Sequence, residues 1–261
     1  MPYKGLVHNL ETKTDPHSYL VKGFVVHNCG SKTPHFLTTY GFEGLHGRAL
    51  PVATGAKLVN PGLTVIVTAG DGDTYGIGGN HLIHAMRRNL DITVIVQNNA
   101  VYGLTKGQYS PTSIKGFKSP STPAGALEEP VNPMALGIIM GATYVARGFA
   151  YEARHLIELL KGAIQHKGFS MIDIFQPCST YNKIQTIQWY KENIKKMDEG
   201  HDPADIAQAL KMAMTWEPGN VPIGLFYQEE GRPTYDEQAG RAVVNDDITK
   251  TDISPILARA K

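Results

Sequence analysis

The sequence predicts an α/β protein with a doubly wound parallel sheet. Short β-branched runs that are apolar on both faces alternate with amphipathic helical segments, as expected for strands covered by helices on both sides. Hydrophobic residues make up 42% and charged residues 19% of the 261-residue chain, so a large buried core can form. Glycine and polar residues follow the first two predicted strands, at the edge where open α/β sheets bind ligands.

The first predicted βαβ unit places two polar turns at one edge of the sheet. A strand is predicted over 63–69 and is ended by the turn residues 70–73. A helix follows from about 77 to 88, and a second strand covers 91–97 before the pair Asn98-Asn99. A right-handed crossover brings the ends of both parallel strands to the same edge. The two turns are therefore expected to lie close together.

The same alternation continues towards the C-terminus and extends the parallel sheet. Strands are predicted over 142–147, 169–175 and 222–228, and helices over 151–166 and near 203–215. No pattern assigns an element after residue 235, so residues 236–261 are predicted to form a C-terminal tail.

Composition excludes several classes of function. The formal net charge is +1 and no basic stripe with interleaved aromatic residues occurs, so no nucleic acid partner is expected. The sequence has no apolar run near the roughly 20 residues of a membrane span and no secretory signal, so a cytoplasmic protein without a membrane partner is expected. The segment 105–133 is rich in Gly, Pro, Ser and Thr and is too long for an ordinary connection, which predicts a functional loop.

Three adjacent residues, His27-Asn28-Cys29, carry the chemistry of a protein-splicing junction. The side-chain amide of Asn28 can attack its own backbone carbonyl and cut the bond to Cys29, while a protonated His27 donates to the departing amine. The Cys29 thiolate is the acceptor, because it can hold the upstream chain as a thioester. The junction predicts that the residues before Cys29 are removed.

The segment before this junction resembles the C-terminal end of an intein. Short alternating strands with polar turns are predicted there, and they match the intein blocks at 7–11, at 17–21 with His17, and at 23–28. The resemblance covers residues 1–28 and implies a small β-rich remnant whose partner is an upstream intein and extein half. Two origins stay open: the C-terminal partner of a split intein, or a gene fragment cut inside a contiguous intein.

Asp71 and Asn99 follow two strands that one crossover joins, so they can meet at a single ion. Carboxylate, amide and carbonyl oxygens suit Mg²⁺ or Ca²⁺, and Mg²⁺ usually completes its shell with phosphate oxygens. Gly72 lets the backbone approach a diphosphate, and the following helix offers free N–H groups. A Gly-Asp-Gly alone is most often a turn, but its spacing from Asn98-Asn99 favours a metal-diphosphate anchor.

This spacing resembles the thiamine diphosphate motif, in which a GDG sequence is followed by NN. The resemblance implies the thiamine diphosphate-binding fold, with cofactor-binding residues in the segment Gly70-Asp71-Gly72-Asp73. It also implies that Mg²⁺ is held by the side chains of Asp71 and Asn99 and by the carbonyl of Val101.

Longer motifs resemble the beta subunit of 2-oxoacid:ferredoxin oxidoreductases. They are CGSKTPHF at 29–36, LHGRALPVATG at 45–55, GDGD at 70–73, IGGNH at 77–81 and NNAVYGLTKGQ at 98–108. The resemblance covers a cofactor-binding domain over about 29–235. It implies oxidative decarboxylation of a 2-oxoacid, with thiamine diphosphate as electron sink, coenzyme A as acyl acceptor and electrons passed through an iron-sulfur cluster to ferredoxin. An alpha subunit is expected to supply the pyrimidine-binding domain.

The family motifs imply roles for individual side chains, and Lys32, His46 and Lys106 are the predicted catalytic residues. Lys32 and His46 match positions that line cofactor and substrate, where a cation can hold a carboxylate or diphosphate. A solvated lysine and a helix-capping histidine stay open as alternatives. Leu104 matches the residue that supports the bent cofactor, although a buried leucine is ordinarily core. Lys106 lies in the same motif, and the resemblance implies that it faces coenzyme A or substrate.

The resemblance gives a shared role to the two cysteines of the chain. Cys29 and Cys178 match two ligands of a [4Fe-4S] cluster, and the family's other two form a Cys-Pro-x-Cys pair that this sequence lacks. A cubane needs four thiolates. An intein that interrupts the family sequence before Cys29 would leave the other pair on the upstream half. For Cys178, a buried apolar role is the alternative.

Two other functions stay open. A non-oxidative thiamine diphosphate-dependent decarboxylase would share the Mg²⁺ motif but needs no cluster cysteines. A self-splicing fragment with an inactive passenger would need only residues 1–28 and Cys29. For the oxidoreductase, pyruvate or a broad range of substrates is open, and the resemblance to two-subunit members slightly favours 2-oxoglutarate.

Overall fold

The computed structural model describes residues 39–198 and 200–240, together with Ser254 and Ala258. Most of the predicted cofactor-binding domain lies within these ranges. Outside the described residues lie the predicted intein segment 1–28 and the predicted site residues His17, His27, Asn28, Cys29 and Lys32.

A mixed six-stranded sheet forms the centre of the described structure. The strands are β1 (Val65–Gly70), β2 (Ile92–Asn98), β3 (Val101–Tyr102), β4 (Gln108–Tyr109), β5 (Tyr144–Phe149), β6 (Ser170–Phe175), β7 (Ile194–Lys196) and β8 (Val221–Gln228). The order in the sheet is β1-β2-β6-β5-β8-β7, and β3 with β4 forms a separate antiparallel ribbon. The first four strands in this order are parallel, whereas β8 is antiparallel to β5 and β7 is parallel to β8. The predicted α/β fold is confirmed with a mainly parallel sheet, but the strand predicted over 222–228 does not extend the parallel part, because β8 runs antiparallel to β5.

Seven α-helices are described around this sheet. They are α1 (Ala49–Val59), α2 (Gly79–Arg87), α3 (Pro133–Ile139), α4 (Ala153–Gln165), α5 (Ile187–Asn193), α6 (Ile206–Ala213) and α7 (Tyr235–Ala239). Side chains of Asn132, Thr186, Asp205 and Thr234 accept backbone N–H bonds at the start of α3, α5, α6 and α7. Each described helix is too short or too polar to cross a membrane.

Helices cover both faces of the sheet, as the sequence predicts. Residues of α1, α2, α3 and α6 share one core cluster with Val67 and Val94, and α4 packs with Ala146 and Ile172 in another. Each of β1, β5 and β6 has six residues, and all of them are buried. This burial explains why these strands are apolar on both faces. Each large apolar side chain buried in this way contributes about 1.5–3 kcal/mol.

Element boundaries differ from the sequence prediction at one important place. The helix predicted from residue 77 is preceded by a π-helical segment, Gly72–Ile77, and α2 begins only at Gly79. The N–H of Gly78 donates to the carbonyl of Asp73 (2.9 Å), which closes the wide turn. Glycines at 76, 78 and 79 disfavour a continuous α-helix here. The turn after β1 is therefore broader than predicted.

Candidate functional site

The ends of β1 and β2 meet at the top of the parallel sheet. Gly70 and Gln97 are paired as the last register partners of the two strands. Asp71 follows directly, and its Oδ1 accepts a hydrogen bond from the backbone N–H of Asn99 (3.4 Å). The structure thus brings the Asp71 carboxylate next to the backbone of Asn99, the residue that the sequence placed at the same ion.

Asp71 is a fully buried carboxylate. Its Oδ2 lies 2.8 Å from the hydroxyl of Thr112, which belongs to the long polar segment after β4. Burial raises the pKa of Asp71 from 3.8 to about 6, although bonds from Ser110, Thr112 and the Asn99 N–H act in the opposite direction. A buried carboxylate of this kind gains from a nearby cation, and its oxygens are hard donors that suit Mg²⁺.

The two asparagines after β2 point in different directions. Asn99 Oδ1 accepts from the backbone N–H of Val101 (3.1 Å), whereas Asn98 Nδ2 donates to Asp173 (3.0 Å) in the interior. Ala100 next to them has a φ of 54°, a left-handed conformation that turns the chain sharply. Val101 is fully buried in the ribbon beside Tyr109. The two Mg²⁺ ligands predicted after β2, Asn99 and the Val101 carbonyl, thus lie on a single tight turn.

His46 is held by Asp73, although the two residues are far apart in the sequence. Asp73 Oδ1 lies 2.7 Å from His46 Nδ1 and accepts the backbone N–H of Gly47 (2.6 Å). Burial raises the pKa of Asp73. The alternative that His46 caps a helix is wrong, because Arg48 occupies the N-cap position of α1 and no side chain caps that end.

Gly72 has a different neighbour from the one the sequence suggested. A Cβ atom at Gly72 would lie 2.2 Å from Cε1 of Tyr102, so the glycine permits close contact with this ring. The Tyr102 hydroxyl donates to the Gly72 carbonyl (3.2 Å), and the ring lies edge-on to His46 with centroids 6.0 Å apart. The contact with Tyr102 gives this position a requirement for glycine that the sequence did not reveal, and the approach of a diphosphate to the Gly72 backbone stays a prediction.

Leu104 and Lys106 lie in the turn between β3 and β4. Leu104 is 64% exposed, so the alternative of a core leucine is wrong. Lys106 has a φ of 82°, and the N–H of Gly107 donates to the carbonyl of Tyr102 (2.9 Å) to close the hairpin. An exposed apolar side chain and a cation therefore stand at the tip of the ribbon that begins at Val101.

Cys178 follows β6 and is half-buried. It packs against a cluster formed by Val101, Phe117 and Ala126. Asn182 Nδ2 donates to the carbonyl of Asn99 (3.4 Å), so the Cys178 segment is tied to the predicted Mg²⁺ turn. Within the described ranges, no group of three or more His, Cys, Asp and Glu side chains could hold a metal. The full sequence contains two cysteines, so this chain alone cannot supply four thiolates, whereas the oxygen donors around Asp71 fit Mg²⁺.

A buried polar network beneath these turns was missed by sequence reasoning. Asp173 accepts from the Tyr75 hydroxyl (2.9 Å), and Arg147 Nε lies 3.7 Å from Asp173 Oδ2. The Arg147 guanidinium is fully buried and lies over the rings of Phe175 (5.0 Å) and Trp216 (5.5 Å). A single charged residue inside each of two apolar strands was the available signal, because a buried charge needs a partner.

Comparisons with known proteins agree with this architecture. A protein-family model described as the thiamine pyrophosphate enzyme C-terminal TPP binding domain matches residues 23–174. A second model, which describes the C-terminal part of the pyruvate ferredoxin oxidoreductase beta subunit, matches residues 178–242. Fold and site together define a thiamine diphosphate-binding component of an oxidoreductase.

The chain belongs to the beta-subunit family of 2-oxoacid:ferredoxin oxidoreductases. A 2-oxoacid:ferredoxin oxidoreductase subunit beta from Sulfolobus sp is 49% identical over 222 residues, which cover 80% of this chain and 73% of the relative. The 2-oxoglutarate synthase subunit KorB of Archaeoglobus fulgidus is 40% identical over 193 residues, with 71% and 72% covered. As a beta subunit, the chain is an enzyme component that implies an alpha-subunit partner.

A solved structure supports the same conclusion. The 2-oxoglutarate:ferredoxin oxidoreductase from Magnetococcus marinus, determined with 2-oxoglutarate, coenzyme A and succinyl-CoA bound, superposes with a TM-score of 0.82 at 39% identity. The match covers 94% of this chain and 82% of that one. The similarity extends well beyond the motif segments.

Proposed function

We propose that the chain, together with its alpha subunit, converts a 2-oxoacid and coenzyme A to an acyl-CoA and carbon dioxide, with the electrons passed to ferredoxin. The supporting observation is the junction of Asp71 and Asn99 within a thiamine diphosphate-binding domain. When bound, thiamine diphosphate supplies the carbanion that attacks the keto carbon and the ring that accepts the electrons left by decarboxylation. We take 2-oxoglutarate as the substrate, because the Archaeoglobus fulgidus relative is named a 2-oxoglutarate synthase subunit and the Magnetococcus marinus enzyme binds this oxoacid.

Asp71, Asn99 and the Val101 carbonyl are the proposed Mg²⁺ ligands. The proposal rests on their closeness in the two adjoining turns and on the buried charge of Asp71, which has hydroxyl and amide partners but no ion pair with any described lysine or arginine. Burial raises the pKa of Asp71 to about 6, so keeping this carboxylate ionised in the folded chain costs free energy. A divalent cation would offset the cost of burying that charge.

His46 is proposed to contact the cofactor or substrate in one fixed orientation. The contact of Nδ1 with Asp73 fixes the ring, so Nε2 is the nitrogen left to bind a ligand. Lys32 and Lys106 are proposed to bind carboxylate or phosphate groups of substrate or coenzyme A. The exposed side chain of Leu104 is proposed to support the bent cofactor.

Activity of the assembled complex tests this function directly. The full chain purified with its alpha subunit should reduce a viologen dye with 2-oxoglutarate only when coenzyme A is present, and more slowly with pyruvate. Asp71→Asn should abolish the reaction, while Lys118→Gln, a surface change in the same chain, should leave it intact. Aldehyde formation without coenzyme A or an electron acceptor would instead identify a non-oxidative decarboxylase.

We also propose that splicing at His27-Asn28-Cys29 precedes cluster assembly, with Cys29 and Cys178 supplying two of the four thiolates. The supporting observation is the match of both cysteines to family ligand positions in a sequence that lacks the other pair. Co-expression with the upstream half should yield a ligated product that contains iron, as measured by intact mass and iron analysis. Asn28→Ala should abolish cleavage at Cys29, and unchanged cleavage would disprove the splicing role.

A further inference from the structure

We propose that Thr112 is a positioning residue that holds Asp71 in the geometry needed for Mg²⁺, through a hydrogen-bond chain anchored on Asn98 and Asp173. The inference deepens the proposed function and rests on the proposed Mg²⁺ site. Thr112 is not a candidate ligand in the sequence motif. It comes from the polar segment 105–133, whose length predicted a functional role.

The Thr112 hydroxyl stands between two acceptors. Its Oγ1 lies 2.8 Å from Asp71 Oδ2 and 2.9 Å from Asn98 Oδ1, and the residue is buried. A hydroxyl has one proton to donate, so the two oxygens share it. This single group therefore connects the side chain after β1 with the end of β2.

The orientation of Asn98 is determined from its other side. Its Nδ2 donates to both oxygens of Asp173 (3.0 and 3.3 Å), so its Oδ1 must face Thr112. The same Oδ1 accepts the backbone N–H of Ala100 (3.2 Å). Asp173 is itself held by the Tyr75 hydroxyl and lies beside Arg147. The anchor of Thr112 is therefore a rigid, buried group.

The backbone around Thr112 is tied to the same turn. Ser113 Oγ donates to the carbonyl of Ala100 (2.6 Å) and accepts the N–H of Ser110 (2.7 Å). Further along, the N–H of Val131 donates to the carbonyl of Pro111 (2.8 Å). The segment is thus bonded to the Asn98–Ala100 turn through Thr112 and Ser113, and the other two bonds hold the segment itself in place beside Asp71.

Removing the hydroxyl should weaken metal binding more than folding. Thr112→Val keeps the side-chain shape, but Asp71 loses the hydroxyl that donates to its Oδ2 and is held less firmly by the remaining bonds from Ser110 and the Asn99 N–H. Loss of a hydrogen-bond partner that orients a metal ligand typically lowers metal affinity about 10–100-fold. Thr112→Ser keeps the hydroxyl and should rescue affinity. Thr68→Val is a matched control, because Thr68 lies in β1 with a buried hydroxyl that bonds to no described residue.

Mn²⁺ titration monitored by electron paramagnetic resonance, with thiamine diphosphate present, tests the proposal on the full chain assembled with its alpha subunit. We expect Thr112→Val to bind Mn²⁺ about 10–100-fold more weakly and the Thr112→Ser and Thr68→Val proteins to bind like the wild type. Thermal unfolding in EDTA should be nearly the same for the wild type, Thr112→Ser and Thr68→Val, and Thr112→Val should lose less stability there than the loss of Mn²⁺ affinity represents.

Each other outcome has a definite meaning. Wild-type affinity in Thr112→Val would overturn the positioning role. Weak binding that Thr112→Ser does not restore, or a matching loss of thermal stability without metal, would assign Thr112 to the fold and also overturn it. Absence of Mn²⁺ binding in the wild type would instead reject the proposed Mg²⁺ site itself, which separates the two failures.

Discussion

Asp71→Asn is expected to stabilise the metal-free protein at alkaline pH while it abolishes Mg²⁺ binding. The carboxylate is fully buried, and burial raises its pKa from 3.8 to about 6. Ionising this group therefore costs more in the folded protein than in the unfolded chain. An amide of nearly the same shape has no charge to bury, and it keeps one oxygen that can accept from Thr112.

The size and sign of the effect follow from the pKa. Between pH 3.8 and about 6 the folded protein binds the Asp71 proton more tightly than the unfolded chain does. The contribution of Asp71 to stability is thus most favourable below pH 3.8 and declines as the pH rises through about 6. A difference of roughly two pKa units at about 1.4 kcal/mol each amounts to about 3 kcal/mol. The variant should gain up to that amount at about pH 8 and little at about pH 4.

Urea unfolding in EDTA measures this difference, with the fluorescence of Trp189 and Trp216 as the signal. The difference in the free energy of unfolding between the two proteins, taken at each of the two pH values, cancels the contributions of all other titratable groups. Addition of Mg²⁺ and thiamine diphosphate should then raise the unfolding midpoint of the wild type only. A variant less stable than the wild type at about pH 8, or equally stabilised at both pH values, would refute the reasoning.

Three further substitutions test other parts of the described structure. Arg147→Met leaves Asp173 buried without its counter-charge and should lower the free energy of unfolding in urea by about 3–5 kcal/mol. The double variant with Asp173→Asn should recover part of that loss, because it has no unpaired buried charge. Lys57→Met removes a buried ammonium 2.6 Å from Asp91 Oδ2 and should lower the free energy of unfolding by about 1.5–3 kcal/mol in the same assay. An unchanged free energy of unfolding would show that this ion pair does not stabilise the fold. Gly47→Ala places a side chain at a backbone φ of 72°, which shifts the Gly47 N–H away from Asp73. We therefore expect weaker thiamine diphosphate binding by calorimetry, and wild-type affinity would show that this contact does not support the site.

The sheet and the Asp71–Asn99 junction could be predicted because both depend on short-range patterns. Apolar runs mark the strands, and the handedness of one crossover places their ends together. The helix α1 was missed because its small residues, ALPVATGAKLV, show little separation into polar and apolar faces. Tyr102 against Gly72 was missed because a glycine shows only that something approaches closely, not which group does so.

The supports of the site depend on long-range contacts that no local pattern specifies. Thr112 lies 41 positions after Asp71 in a segment without periodicity, and Gly47 lies 26 positions before Asp73. Arg147 and Asp173 become partners only through the register of β5 against β6. Each sequence segment shows an unusual residue, but the pairing follows from how the strands are ordered in the sheet.

Charge balance in the buried network explains why a metal and a diphosphate would bind together. With both carboxylates ionised, Asp71 and Asp173 carry two negative charges against the one positive charge of Arg147, and the charge of Asp173 contributes to the raised pKa of Asp71. A divalent cation alone would reverse this excess to one positive charge, which is again costly away from water. A diphosphate that shares the cation adds negative charge directly beside it and supplies the oxygens that Mg²⁺ requires. Binding of Mg²⁺ and thiamine diphosphate should therefore be mutually dependent at this site, each raising the affinity of the other by the same factor.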